Sequence, residues 1–391
     1  MLRIASVFGR AFDLSKPSSI SETRWLRVAA ALARRGHAVD LIIPPGSAGR
    51  PAIDRGVALR AVALESARWQ DYDVIKVAYQ KGFQILMESG AEGHPFILCR
   101  LGGVVDARDR EDISFTGTER RRLFEIQRTI AKGARGIAVS TKSEALLWRD
   151  LHGGRLTPLI VPTGVDAQLP AAGHNPYRAF PEKIVLHLGN LRGARRHYAA
   201  GGGEEETHVS QEALNHAWQH RLNRIGRRLR ARGLRLCCVG PGLRDELDPD
   251  AVTDLGVVAH EETWNLQRHA DAGLVLAHGK TQLHECSKLY GYLRSGLPPV
   301  SESPIPNNDL IEETGIGRVA PYDDDEQIAD QLCAETERSP QSRRRAMEIM
   351  AERYSWDQRV GYYDAYIRAE LRRDRKRAAL ARISEPITQK G

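Results

Sequence analysis

The chain has 391 residues, 41% of them hydrophobic and 6% aromatic, enough to close two cores of ordinary domain size. Its 57 Lys and Arg against 50 Asp and Glu leave a formal charge of +7, and residues 368–382 are densely basic; such a run reads first as a solvated face, and is also compatible with transient contact with an anionic membrane. No apolar run approaches the roughly 18–20 residues that span a bilayer, the cysteines Cys99, Cys237, Cys238, Cys286 and Cys333 follow neither disulfide nor zinc spacing, and no aromatic-basic interleaving points to nucleic acid, so those classes are disfavoured. The N-terminal segment lacks the apolar core and cleavage site of a signal peptide, and a cytoplasmic location is expected.

Residues 3–8 read as a buried strand. A helix follows, capped at Ser21-Glu22 and carrying the apolar stripe Trp25, Leu26, Val28, Ala29 and Leu32; Gly36 stops it before a strand over 38–43. Strand, helix and strand in that order predict a parallel sheet. The polar loop 9–20 then falls at the C-terminal edge of the sheet, where open α/β folds bind ligands, but with Gly9 as its sole glycine it lacks the dinucleotide fingerprint. Further strands are expected at 57–63, 73–78, 96–100, 136–140 and 158–162, with helices at 80–90, 118–132 and 142–151.

The run Val161-Pro162-Thr163-Gly164-Val165-Asp166 and the Pro, Gly and Asn-rich stretch to Pro181 break the series and mark a domain boundary. A second α/β series has expected strands at 183–189, 234–240, 257–259, 272–276 and 299–300. The glycine-rich, charged segment 193–209 is expected to form a loop at the mouth of the cleft between the two units.

The most informative stretch is 285–300, a polar loop feeding a short helix that ends at Gly296, with Pro298 preventing continuation before a strand. Unpaired N–H groups at the start of that helix, together with Ser287 and Lys288, suit a bound diphosphate. An ordinary αβ unit would look much the same, so the segment alone leaves both readings open.

Several short motifs, in order along the chain, resemble those of GT-B glycosyltransferases, in particular the retaining, nucleotide-sugar-dependent group similar to family 4. They are Leu32-Ala33-Arg34-Arg35-Gly36-His37-Ala38-Val39, Ala138-Val139-Ser140, Pro162-Thr163-Gly164-Val165-Asp166, Leu188-Gly189-Asn190-Leu191, Val239-Gly240-Pro241-Gly242, the run from Lys288 to Pro298, and Tyr354-Ser355-Trp356 before a long helix. The resemblance covers roughly residues 1–367. It implies an α/β architecture of two tandem Rossmann-like parallel-sheet domains facing a cleft. Residues 1–165 would form the acceptor-side domain, 166–355 the nucleotide-sugar domain, and 356–391 a helix returning to the first domain plus a basic tail.

The activity so implied is transfer of a sugar from a nucleotide-diphosphate sugar to a glycan, lipid-linked or small-molecule acceptor, with retention and with neither metal nor cofactor. The leaving diphosphate would meet Gly189, Asn190, Arg192, Arg195, Arg196, Gly240, Ser287, Lys288 and Leu289, arginine being suited to bidentate phosphate contact. On the first-domain side no histidine occupies the loop 101–106, so Arg100 and Asp106 are the polar catalytic candidates, with Gly102-Gly103 allowing close backbone approach. The chain departs from the family at its acidic pair: Leu283 and Gly291 stand where two glutamates are usual, leaving His284 and Glu285 as neighbours that could reach sugar hydroxyls. That departure keeps a non-catalytic GT-B module, a partner or regulator of an active transferase, as the alternative. A nucleotide-sugar epimerase is less favoured, because it would need cleft carboxylates and histidines.

Overall fold

The computed structural model describes residues 1–17, 19–49, 57, 59–108, 117–189, 211–242, 244–277 and 283–384. The first series runs β1 (Arg3–Phe8), α1 (Ile20–Arg34), β2 (Ala38–Ile43), β3 (Arg60–Ala63), β4 (Val74–Ala78), α2 (Tyr79–Glu88), β5 (Ile97–Arg100), α3 (Gly117–Gly133), β6 (Gly136–Val139), α4 (Lys142–His152) and β7 (Leu159–Ile160). The second runs β8 (Lys183–Leu188), α5 (Gln211–Ala231), β9 (Leu234–Val239), β10 (Val252–Asp254), α6 (His260–His269), β11 (Ala272–Val275), α7 (Ser287–Arg294), β12 (Pro299–Glu302), α8 (Asp309–Thr314), β13 (Arg318–Ala320), α9 (Asp325–Glu335), α10 (Pro340–Tyr354) and α11 (Trp356–Ser384).

Among the described residues each series forms one parallel sheet, in the orders β3-β2-β1-β4-β5-β6-β7 and β10-β9-β8-β11-β12-β13. This is the α/β, two-sheet architecture expected from the sequence. The alternating series underlies it: most strands return to the same edge through a helix, so neighbours pair in parallel, as in Ile4 with Val39 and Val74, or Leu186 with Cys237. In both sheets the chain order reverses at the opening strand, β1 or β8. The loops after β1 and β4, and after β8 and β11, therefore splay apart at the C-terminal edge and leave a crevice.

Three sequence expectations change. The cap of α1 is Ser19, not Ser21: the Ser19 hydroxyl accepts from the Glu22 amide at 3.3 Å while the Glu22 carboxylate accepts from the Ser19 amide at 3.1 Å. The strand expected at 257–259 is instead Val252–Asp254. Gly256 turns in the left-handed region (φ 74°), ending the pairing with β9, and Val257 is 68% exposed. The strand β13 was not foreseen, being three residues long. The expected loop over 193–209 lies outside the described residues. All five cysteines are free, and no helix among the described residues is long and apolar enough to cross a membrane.

The long helix α11 packs on the first sheet's side: Trp356, Val360, Tyr363 and Ile367 share one buried cluster with Ile4, Trp25, Val28 and Leu32. Polar contacts fix its position. His37 meets Asp364 at 3.0 Å, Arg34 meets Asp357 at 2.9 Å, and Arg135 pairs with Glu370 at 2.9 Å. The two chain crossings between the sheets run side by side, since the Val165 amide donates to Tyr354 and the Trp356 amide donates back to Val165. Gly164 makes room there: a Cβ on it would stand 2.5 Å from Trp356 Cε3. Gly164→Ala therefore has to push the indole away from this crossing, and a loss of about 1–3 kcal/mol in urea unfolding is expected. Unchanged stability would mean that the crossing is not packed as described.

Candidate functional site

The crevice is built around the loop 283–285, which enters from the second sheet. Each of its residues is tied to the first domain or to the crossing segment. The Leu283 carbonyl accepts from Thr141 Oγ1 at 2.6 Å; His284 Nδ1 meets Glu144 Oε1 at 2.8 Å; the Glu285 carboxylate accepts from the Thr163 amide at 3.0 and 2.9 Å. Glu285 also receives Thr163 Oγ1, Arg24 at 3.3 Å and Tyr290 Oη at 3.0 Å, with Arg100 at 3.9 Å. Its side chain is 5% exposed, so its acceptor capacity is used internally.

The cations around that carboxylate outnumber it. Arg100, at the end of β5, donates to Ser140 Oγ at 2.6 Å, and its Nη1 is buried without a hydrogen bond. Lys76 lies over the Tyr363 ring at 4.7 Å and is almost wholly buried. Burial pulls its ammonium down to about 7, and the charges of Arg100 and Arg24 add to this. Beside this group Tyr79 opens α2 with a positive φ of 66°, a sparsely populated conformation for a non-glycine residue.

On the other wall, Gly189, Gly240, Ser287 and Lys288 converge at the C-terminal edge of the second sheet. Gly189 (φ 128°) ends β8, and a Cβ on it would stand 2.5 Å from Lys288 Cε and 3.0 Å from Nζ. Gly240 (φ 139°) approaches so closely that a Cβ would stand 2.0 Å from the Gly189 carbonyl oxygen. Only glycine allows both the backbone conformation and the approach. Ser287 is the first residue of α7, where free N–H groups and the helix dipole favour an anion beside the Lys288 ammonium.

The remaining sequence candidates fall differently. The Leu289 side chain is fully buried in the second core and its amide bonds the Cys286 carbonyl at 3.3 Å, so it presents little to a ligand. The Asp106 carboxylate holds a turn, accepting from the Arg108 amide at 2.9 Å and from its guanidinium at 3.2 Å. Asn190, Arg192, Arg195 and Arg196 lie outside the described residues. Beside Gly291, where a Cβ would stand 3.0 Å from Gln267 Oε1, the nearest polar group is that buried amide, which is bonded by Ser295. Glu144 and Arg24 fall in none of the motifs that carry the family resemblance, and Thr163 and Tyr290 stand in such motifs without a site role. Thr141 and Glu144 carry the capping-box spacing, which signals a helix start and conceals a second role.

No family model matches the chain, and no curated protein matches it by sequence. Solved structures are similar over nearly the whole length. HepE from Anabaena, solved with UDP-glucose, is 14% identical, with 94% of this chain and 100% of that one covered and a TM-score of 0.61. WaaG, a glycosyltransferase of lipopolysaccharide biosynthesis, is 13% identical over 92% and 98% at 0.58. Sucrose-phosphate synthase from Thermosynechococcus elongatus is 13% identical over 97% and 99% at 0.55. The fold these structures share with this chain is GT-B.

Two outcomes follow from the buried charges. Glu285→Gln leaves Arg24 and Arg100 without their counter-charge and should cost about 3 kcal/mol in denaturant unfolding, with little salt dependence because the group is buried. Lys76, lowered in the folded state, makes the unfolded chain hold more protons between about pH 7 and pH 10, so stability gains with pH across that window. Lys76→Met should therefore raise the melting temperature most near pH 7 and least near pH 10. A difference that does not change with pH would overturn the buried-lysine reading.

Proposed function

We propose that this GT-B chain is a nucleotide-sugar-dependent glycosyltransferase, acting on a glycan, lipid-linked or small-molecule acceptor. The observation that carries the reading is the convergence of Gly189, Gly240 and Lys288 at the start of α7, where the helix N-terminus and the ammonium suit an anion. That HepE was solved with UDP-glucose in the same fold supports a nucleotide sugar as the anion. In this reading Lys288 and the α7 amides meet the negative charge that grows on the leaving diphosphate. The acceptor hydroxyl forms its bond to the anomeric carbon on the face from which the diphosphate departs, the carbon–phosphate oxygen bond breaks, and the hydroxyl proton passes to that oxygen. This scheme asks for no protein nucleophile. We take residues 1–165 as the acceptor-side domain and 166–355 as the donor-side domain, in keeping with the paired crossings at Val165 and Ser355.

One observation favours a second reading. With Leu283 and Gly291 at the positions of the acidic pair, and Glu285 committed to Thr163 and Arg24, the donor wall has lost carboxylates that could hold hydroxyls. A non-catalytic module of the same fold would look like this. The two are separated by a thermal-shift screen against UDP, GDP, ADP and TDP and their common sugar conjugates, with and without magnesium, because a ligand of the native state raises its melting temperature. The transferase reading expects one base to shift the transition, and the shift to be lost in Ser287→Ala/Lys288→Ala. Absence of any shift at millimolar ligand would favour the module. A shift that survives the double substitution would show the anion site to be misplaced.

A further inference from the structure

His284 is the one residue of the loop 283–285 whose side chain keeps a polar atom for the crevice. Its Nδ1 is held by Glu144 Oε1 at 2.8 Å, and Nε2 has no hydrogen bond among the described residues while the side chain is 42% exposed. Glu144 is a well-built anchor. It is 2% exposed, and its second oxygen accepts from the Ser140 amide at 2.7 Å and the Thr141 amide at 3.2 Å. Burial alone would raise its carboxyl, but the bond and charge of His284, with Arg100 and the Ser140 amide, hold it below the ordinary carboxylate range. An ionised Glu144 fixes the ring with Nδ1–H donated to it, which leaves Nε2 as a lone-pair acceptor whenever the ring is neutral.

The face of the ring is seated as firmly as its edge. It lies against Gly103, where a Cβ would stand 2.9 Å from His284 Cε1 and 3.5 Å from Nε2. The Gly103 carbonyl is gripped by Gln80 Nε2 at 2.6 Å and Gln127 Nε2 at 3.2 Å, and Gln80 also accepts from the Gly102 amide at 3.1 Å. Both glutamines are buried, so the seat is rigid. The imidazole thus stands three residues before Ser287, between the anion site at α7 and the first-domain loop after β5.

We propose that His284 contacts the transferred sugar through Nε2, oriented across the crevice by Glu144 and seated on Gly103, in a position where Leu283 offers no side-chain hydrogen bond. The inference rests on the transferase reading above. A sugar hydroxyl both donates and accepts, so it bonds the neutral ring at its lone pair and the protonated ring at its N–H. Because the orienting carboxylate belongs to the first domain and the ring to the second, recognition of the sugar is tied to the two domains being together.

The test separates sugar from nucleotide. Titration calorimetry of wild type, His284→Ala and Gly103→Ala is run with UDP and UDP-glucose, and with the GDP, ADP and TDP pairs, using the pair that wild type binds. The expected result is nucleoside diphosphate affinity within about twofold of wild type in both variants, with the nucleotide sugar bound about tenfold more weakly, the scale of one hydrogen bond to the sugar. Gly103→Ala keeps the histidine and displaces its ring, so it reports on position if His284→Ala folds poorly. An unchanged ratio of sugar-nucleotide to nucleotide affinity overturns the proposal, and so does equal weakening of both ligands, which would give the ring a purely architectural part. If wild type binds none of the nucleotides, the transferase reading itself falls, a result visible before any variant is made.

Discussion

A single buried carboxylate holds this molecule's two halves in register. Glu285 comes from the second sheet's loop and takes donors from the crossing segment (Thr163), from α1 (Arg24) and from its own following helix (Tyr290), while Arg100 at the end of β5 stands within ion-pair distance. Buried cations are tolerated only when they find a counter-charge, and here Arg24 and Arg100 find the same one. The flanking residues repeat the arrangement with weaker groups, Leu283 through its carbonyl and His284 through its ring. Three successive residues of one loop thus tie the two walls together, beside the paired crossings at Val165 and Trp356.

That economy has a chemical cost. A carboxylate that closes the interface is not available to hold hydroxyl groups, so in this chain the acid nearest the expected donor site serves architecture. Among the described residues, the second sheet's wall offers a ligand two glycines with positive φ, the start of α7, and a part-exposed histidine with one ring nitrogen fixed.

The fold was legible because hydrophobic period and helix stops are local signals: β1, α1 and β2, or α7 with Gly296, follow from residues within a few positions of one another. Gly189 and Gly240 stood in motifs of the family resemblance, and their positive φ and close approach fit residues that only glycine can fill. The failures share a cause as well. Glu285 finds Thr163 across 122 positions and Arg24 across 261, and nothing in the spacing of a sequence announces such partners. Val257-Val258-Ala259 has the composition of a strand, yet pairing is settled by where Gly256 turns the chain. Asp106 has the right position for a reacting acid and the right chemistry for a turn, and only the placement of Arg108 distinguishes them.

The return of α11 to the first sheet constrains when that sheet can become a stable body. Trp356, Val360, Tyr363 and Ile367 belong to the same core as Ile4 and Trp25, so the half that is synthesised first lacks part of its interior until nearly the whole chain has emerged. At roughly 5–20 residues per second this leaves an incomplete apolar surface on the nascent protein for on the order of tens of seconds. The second unit's core draws on one continuous stretch but is itself closed only by Ala346 and Met350 of α10, shortly before α11 is made. On the ribosome one face of the first sheet, built from residues Ala5 to Trp148, can close early while the face that receives α11 stays open until late, and a chaperone that shields that face until α11 arrives is what this topology calls for.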